Sequence, residues 1–264
     1  MQIRFRNRDV DFQSDLSQGV SLARPLSFCE DGSNLWNAPA PSAAPVEIDN
    51  FVGDTTQGGS CNVDQLSIIP HCHGTHTETV GHIVDDDVFV SNLKLDSLMP
   101  ALVVTVEPIL ASKTEETYST KFEPSDRVIA AAQLKDQLQQ HEGFESNVFI
   151  VRTSQETEDS APPYFTHEAM NLIVEHNVEH LLVDFPSIDR LEDGGALNNH
   201  RILWNVDPGS KQLKPTCRKS CTITELIQVP TEVTDGPCLL SLQLPAFESD
   251  AAPSRPVVYS ITRV

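Results

Sequence analysis

Three short apolar runs restrict the fold of this chain more than any other feature of its sequence. They span residues 101–109 (ALVVTVEPI), 147–152 (NVFIVR) and 181–183 (LLV). The first two are rich in β-branched residues, and none shows the strict polar alternation of a strand with one wet face, a pattern that favours strands buried on both sides. The sequence therefore predicts a central sheet with covering layers.

The segments between these runs have the periodicity of amphipathic helices. The first predicted helix begins after a candidate cap at Ser125 and ends just before Gly143, and its apolar positions are Val128, Ala131, Leu134 and Leu138. The second is predicted over residues 166–176, where Asn177 suits the left-handed turn that ends it. Strands alternating with helices predict an α/β fold, which we expect to be a single domain over residues 1–264 with a mixed β-sheet core partly covered by helices.

The two ends of the chain add further β-like segments. Residues 3–6 predict a strand, and the stretch NAPAPSAAP at 37–45 predicts a long surface excursion that cannot be regular helix. Residues 238–244 and 257–262 are β-rich again. We find neither an internal repeat nor a linker that would divide the chain.

Charge excludes several classes of partner. The chain has 264 residues and a formal net charge of −20, from 38 acidic and 18 basic residues. Binding to nucleic acid or to an anionic membrane depends on clustered Lys and Arg, so neither is expected.

The first twelve residues contain no uninterrupted apolar stretch, and no apolar run of twenty residues follows. These observations predict a soluble, cytoplasmic protein.

The six cysteines are scattered along the chain, which predicts reduced thiols rather than a disulfide framework. Cys217 and Cys221 are closely spaced, but the second pair that a structural zinc site would need is missing. We therefore leave both out of the candidate site.

The best indication of function is the segment HCHGTHTETVGH at residues 71–82. It contains four histidines, one cysteine and one glutamate within twelve residues, and these side chains are the usual ligands of divalent transition metals. Cys72, His76 and Glu78 are the candidate ligands, although His71 or His73 could replace Cys72. Three protein ligands leave room for a water molecule, as a catalytic metal requires.

This segment resembles a motif of the cyclase-like metal-dependent hydrolases, a family that includes bacterial kynurenine formamidase and isatin hydrolase. The family pattern is His-x-Gly-Thr-His-x-Asp-x-Pro-x-His, and residues 72–82 match it at Gly74, Thr75, His76 and His82. The sequence departs from the pattern in having Cys72 in place of the first histidine, Glu78 in place of the aspartate and Val80 in place of the proline.

The resemblance extends over most of the chain in the right order. Residues 15–17 (DLS), 184–189 (DFPSID) and 253–257 (PSRPV) resemble further family segments. His200, in NNHRILW, stands at the position of the family's late histidine, and Glu225, in TITELIQVP, stands at that of its glutamate.

The resemblance implies a swivelling β/β/α fold and a site with up to two divalent metals, usually zinc or manganese. One metal would be held by Cys72, His76 and Glu78, and the other by His200 and Glu225, with Glu78 bridging the two. His82 would be the proton shuttle. The resemblance also implies a homodimer, and Trp36, in a segment like an early Trp-containing region of the family, is a candidate for stacking on an aromatic substrate.

These features predict a hydrolase acting on a small-molecule amide. The leading hypothesis is an arylformamidase, which would cleave N-formylkynurenine to kynurenine and formate. A hydrolase for a cyclic amide such as isatin would share the chemistry and differ in pocket shape. The altered residues Cys72 and Glu78 motivate a third interpretation, a homologue that binds a metal or small molecule with weakened turnover.

Overall fold

The computed structural model describes residues 1–28, 35–119, 123–154 and 161–264. They form two compact units, a larger one made of Met1–Arg24 and Thr75–Val264 and a smaller one made of Pro25–Gly74. Our prediction of a single domain over residues 1–264 stays a prediction. Within the described residues, no helix is both long and apolar enough to cross a membrane.

The elements are numbered in chain order. The strands are β1 (Gln2–Asn7), β2 (Val10–Asp15), β3 (Val20–Ser21), β4 (Ser42–Pro45), β5 (Glu47–Ile48), β6 (Phe51–Val52), β7 (Asp64–Ser67), β8 (His76–Glu78), β9 (Met99–Val106), β10 (Ile109–Leu110), β11 (Arg127–Ile129), β12 (Val148–Thr153), β13 (Tyr164–Phe165), β14 (His180–Val183), β15 (Thr222–Glu225), β16 (Gly236–Ser241), β17 (Ala251–Pro253) and β18 (Val257–Arg263). The α-helices are α1 (Pro70–His73), α2 (Ala131–Gln140), α3 (His167–Glu175) and α4 (Asn198–Trp204), and short 3-10 turns cover Thr55–Gln57, Val80–His82, Val90–Asn92 and Ala111–Lys113.

The larger unit is built on one mixed sheet in the order β1-β2-β18-β16-β9-β12-β14-β15-β8-β17, with β3 pairing beside β18. Its centre is parallel, since β12 runs parallel to both β9 and β14, and β14 runs parallel to β15. The flanking strands are antiparallel. In a sheet of this kind, the carboxyl ends of the parallel strands are the usual place for a ligand site, and Glu225 is the last residue of β15.

The central strands are buried on both faces, as their sequences predict. In β12, Phe149 and Val151 belong to one core cluster, whereas Val148 and Ile150 belong to a second cluster on the opposite face. This alternation follows from the two-residue period of a strand. The first cluster includes side chains of α2, α3 and α4, such as the fully buried Trp204. The predicted α/β class with helices covering part of a mixed sheet is confirmed.

The helix predictions were right in one case and partly wrong in the other. α3 begins after Thr166, whose hydroxyl accepts from the N–H of Ala169 at 3.1 Å, and it is followed by Asn177 with φ +55°. The earlier helix begins at Ala131 and not near Ser125, because Arg127–Ile129 pairs with β10 and β13 as strand β11. The apolar residues of this region fit the period of a helix and also that of a strand. Pairing with the neighbouring strands decides between the two.

In the part of the smaller unit that the structure describes there are two short ribbons, the 3-10 turn Thr55–Gln57 and α1. β4 pairs with β7, and β5 pairs with β6, both antiparallel. The stretch at 37–45 is not helical, as predicted, but its second half forms the fully exposed strand β4.

Candidate metal centre

Three of the predicted ligands come from two neighbouring strands. His76 and Glu78 lie two positions apart in β8, so their side chains share one face of the strand. β15 runs antiparallel to β8 with Glu225 directly opposite His76, and such opposite residues project to the same face. His76 Nε2 lies 3.6 Å from Glu225 Oε2. Sheet register therefore brings these three side chains together.

The fourth predicted ligand, His200, comes from α4. Its Nε2 atom lies 3.0 Å from Glu78 Oε1 and 3.8 Å from Glu225 Oε1. The possible ligand atoms of Glu78, His200 and Glu225 all lie within 4.8 Å of one another, and the three residues are buried. Separate parts of the chain thus converge on one point, which is the arrangement that a single cation requires.

Negative charge is concentrated in this buried centre. The exposed fractions of Glu78, Glu225 and Asp189 are 1%, 4% and 2%. Even if His76 and His200 were both protonated, three carboxylates would leave a net negative charge, and an uncompensated buried charge costs about several kcal/mol. A divalent cation would balance it, and carboxylate and imidazole groups are ligands of both zinc and manganese. The donor set therefore fits a divalent metal.

Asp189 fixes the ring of His200. Its Oδ2 atom lies 2.6 Å from His200 Nδ1. Burial disfavours the charged form of His200, but the carboxylates of Glu78 and Asp189 outweigh burial and hold its pKa well above the usual value. Burial also opposes ionisation of Asp189, yet hydrogen bonds from His200, Tyr118 and the N–H of Asn199 lower its pKa. Asp189 is therefore an anion that binds and orients the imidazole.

Strained backbone lies next to two candidate ligands, His200 and Glu225. Leu197, the residue before α4, has φ +49°, and Leu226, next to Glu225, has φ +57°. The left-handed conformation costs a non-glycine residue roughly 1–2 kcal/mol, and such strain tends to cluster at functional sites. The backbone also contacts a candidate ligand directly, since Ile188 N–H donates to Glu225 Oε1 at 2.9 Å.

His82 lies at the accessible side of the centre, and its side chain is 28% exposed. Its Nε2 atom lies 3.9 Å from Glu78 Oε2, and its Nδ1 atom lies 3.3 Å from Asp250 Oδ2. The turn that carries His82 packs against the carbonyl oxygen of Val88. Only glycine fits at the preceding position 81, because a Cβ atom there would lie 2.3 Å from that oxygen. A partly exposed imidazole held by a carboxylate can exchange protons with solvent and substrate.

The opposite face of β8 is held by buried hydroxyl groups. Thr77 Oγ1 lies 2.8 Å from Thr224 Oγ1 and 2.9 Å from Ser254 Oγ. These contacts connect β8 with β15 and with the residue after β17. They fix the register that places His76 opposite Glu225.

The candidate first ligands lie in α1, in the smaller unit. Burial raises the pKa of the Cys72 thiol, which disfavours the thiolate that binds metals. Both ring nitrogens of His73 have backbone contacts, since Nδ1 accepts from Ile69 N–H at 2.9 Å and Nε2 lies 2.8 Å from the carbonyl oxygen of Pro39. His73 therefore serves the local structure, whereas the sequence alternatives Cys72 and His71 stay open.

Trp36, the predicted substrate-binding residue, also belongs to the smaller unit. Its side chain is 52% exposed, and its backbone is left-handed with φ +55°. A role in stacking on a substrate stays a prediction.

Sequence reasoning missed three residues of the site. Asp189 lies within residues 184–189, which resemble a family segment, so the sequence offered a signal for it. Only the structure shows its contact with His200, through which it orients the imidazole ring. Asp250 and Tyr118 contact His82 and Asp189, respectively. Neither lies in a segment with metal-ligand spacing, and only the tertiary structure identifies them.

The fold and the site define a mixed α/β protein with a buried carboxylate and imidazole centre suited to a divalent metal. The sequence matches the Cyclase family model over residues 14–190. The chain belongs to this family, which confirms the resemblance drawn from the sequence motifs. A comparison with curated proteins found no match.

Several solved structures have a similar fold. A predicted metal-dependent hydrolase from Bacillus stearothermophilus is 14% identical, with a TM-score of 0.57 over 92% of this chain and 98% of that chain. An isatin hydrolase bound to the product analogue thioisatinate is 13% identical, with a TM-score of 0.60 over 93% of both chains. Isatin hydrolase A from Labrenzia aggregata, bound to benzyl benzoate, is 12% identical, with a TM-score of 0.60 over 92% of this chain and 93% of that chain. At these identities the similarity concerns the fold.

Proposed function

We propose that this protein is a metal-dependent hydrolase that cleaves the C–N bond of a small amide. The observation that carries the proposal is the buried cluster of Glu78, His200 and Glu225, whose possible ligand atoms lie within 4.8 Å of one another. Family membership supports the same interpretation.

Glu78, His200 and Glu225 would hold the metal, together with His76 beside Glu225. When bound, a divalent metal such as zinc lowers the pKa of a coordinated water from about 15.7 towards roughly 7. Glu78 projects towards both His200 and His82, so it is the residue best placed to bridge two ions if two are bound. Zinc is our first choice and manganese our second.

His82 would transfer the proton in this reaction. Asp250 holds its Nδ1 atom at 3.3 Å and thereby directs Nε2 towards the centre. An imidazole in this position protonates the departing amine as the C–N bond breaks, which general acid catalysis requires. Asp250 acts through His82 and is a positioning residue.

The proposed substrate is an N-formyl aryl amine, with N-formylkynurenine as the leading candidate and formate as one product. The motif resemblance to bacterial kynurenine formamidase supports this choice. The structural similarity to isatin hydrolases favours a second candidate, a cyclic amide such as isatin. Trp36 would stack on the aromatic ring of either substrate.

The test uses purified protein stripped of metal and reloaded separately with zinc or manganese. We expect hydrolysis of N-formylkynurenine, followed by absorbance, that is lost with a chelator and restored by metal. Isatin in a parallel assay distinguishes the two substrates. Protein that binds no metal, or whose hydrolysis persists in chelator, would contradict the proposal.

A third candidate, a metal-binding homologue with weakened turnover, is motivated by Cys72 and Glu78. Cys72→His would restore the family's imidazole. It should raise the rate of a weakened enzyme and leave a binding protein inactive. His71→Ala and Cys72→Ala, compared by metal content, show which side chain supplies the first ligand.

The family resemblance also supports a homodimer. We expect light scattering during size-exclusion chromatography to give twice the mass of one chain. A monomer at micromolar concentration would contradict this assembly.

A further inference from the structure

We propose that Tyr118 is a positioning residue of the metal centre, which it orders by fixing Asp189 and, through it, the imidazole of His200. This inference rests on the proposed function, because it assumes that His200 binds a metal. Tyr118 lies outside every motif that the sequence analysis recognised.

The contacts of Asp189 leave its carboxylate one orientation. Its Oδ1 atom accepts from the hydroxyl of Tyr118 at 2.6 Å and from Asn199 N–H at 2.8 Å. Its Oδ2 atom lies 2.6 Å from His200 Nδ1 and accepts from His200 N–H at 3.1 Å. Each oxygen therefore has both a side-chain and a backbone partner, and among the described residues the side-chain donor to Oδ1 is Tyr118.

This orientation decides where His200 points. Because Asp189 takes the Nδ1 side of the ring, Nε2 is directed to Glu78 at 3.0 Å and Glu225 at 3.8 Å. A carboxylate behind a metal-binding histidine fixes its tautomer and raises its basicity. A carboxylate that could rotate would do neither reliably.

Tyr118 is itself rigidly held. It is 8% exposed, its oxygen accepts from Arg190 N–H at 3.1 Å, and its ring lies 4.9 Å from that of Tyr164 and 5.1 Å from that of His167. Burial and the neighbouring Asp189 raise the pKa of its phenol far above the usual value, so the hydroxyl remains a donor. Through Tyr118, the segment that precedes β11 and α2 contacts Asp189, the partner of His200.

The adjacent tyrosine provides a matched control. Tyr164 donates to Asp126 Oδ2 at 2.7 Å, a phenol-to-carboxylate bond like that of Tyr118. The rings of the two tyrosines are in contact. Asp126 binds Arg190 Nε at 3.0 Å and not a candidate ligand. Tyr118→Phe and Tyr164→Phe therefore each remove one phenol-to-carboxylate bond, but only the first removes it from the partner of His200.

The experiment measures zinc affinity by competition with a chelating dye, and unfolding of the metal-free proteins in urea. Loss of a residue behind a metal ligand typically costs about 10–100-fold in affinity. We expect Tyr118→Phe to weaken zinc binding by about 10-fold and Tyr164→Phe to change it less than about 2-fold, with similar losses of stability. The visible spectrum of the cobalt-loaded protein should change only for Tyr118→Phe.

Equal zinc affinities and unchanged cobalt spectra for the two variants would overturn the inference while leaving the proposed function intact. Wild-type protein that binds neither zinc nor cobalt would overturn both. Should Tyr118→Phe fail to fold, Asp189→Asn replaces it. That variant keeps the shape of the side chain, and unchanged zinc affinity in it would equally refute the positioning role.

Discussion

At the scale of single residues, the centre combines charges that would repel one another without a cation. Glu225 is the most informative of them, because Oε1 accepts from Ile188 N–H at 2.9 Å and an amide could keep that bond. Its negative charge lies beside the imidazoles of His76 and His200, and an amide would remove it. The charge and the hydrogen bond can therefore be separated by one substitution.

We predict that Glu225→Gln lowers zinc affinity by about 10-fold or more, since even residues behind the ligands have effects of that size. The free energy of unfolding of the metal-free protein should stay equal or rise, because one buried negative charge is removed. Dye competition and urea unfolding in chelator test both parts. Glu248→Gln, at an exposed position, is the control, and a strongly destabilised Glu225→Gln protein would contradict the charge argument.

A substitution of His82 tests the proposed proton transfer separately from metal binding. His82→Asn should lower kcat by about 100-fold or more, as is typical for loss of a general acid, with the metal content unchanged. His176→Asn, at an exposed histidine next to α3, should leave kcat unchanged. If His82→Asn instead lost its metal, His82 would be a ligand and not a shuttle.

At the scale of elements, the site depends on the turn that follows β8. The 3-10 turn Val80–His82 is capped by Thr79, whose hydroxyl accepts from Gly81 N–H at 3.2 Å. Thr79 also donates to the carbonyl oxygen of Val88 at 2.7 Å. The carbonyl oxygen of Val88 lies so close to Gly81 that no side chain fits there.

Gly81→Ala should therefore lower the free energy of unfolding by about 1–3 kcal/mol, the usual cost of overpacking. It should also reduce kcat, because His82 is the next residue. Gly143→Ala is the matched control, since a Cβ atom there would meet nothing within 4 Å. Urea unfolding of both variants checks the prediction, and equal stabilities would refute it.

At the scale of the whole molecule, buried histidines make stability depend on pH. Burial lowers the pKa of His180, although Glu179 and Asp96 act in the opposite direction. The unfolded chain then binds a proton below about pH 6.5, where the folded protein still resists it. His180 therefore leaves stability unaffected above that pH and decreases it as the pH falls towards the lower folded pKa.

His180→Asn tests this effect, because an amide can keep the 2.9 Å contact of Nδ1 with Thr222. The loss of unfolding free energy between pH 7 and pH 5 should be smaller in the variant than in the wild type. The comparison is necessary, since a chain with a net charge of −20 also loses self-repulsion on acidification. Parallel stability curves for the two proteins would exclude a contribution from His180.

The sequence by itself determined the class of the fold and named four candidate ligands that the structure brings close together. Short apolar runs without polar alternation predicted the strands that are buried on both faces. The order of the motifs along the chain located His76, Glu78, His200 and Glu225. Sequence reasoning misjudged the start of α2, because Val128 suits a strand as well as a helix and only pairing with β10 and β13 decides.

The tertiary structure alone decided which groups support those candidate ligands. Strand register placed Glu225 opposite His76, and chain folding brought Tyr118 and Asp250 to Asp189 and His82. Such contacts join residues distant in sequence and depend on packing geometry, for which local periodicity and spacing hold no signal.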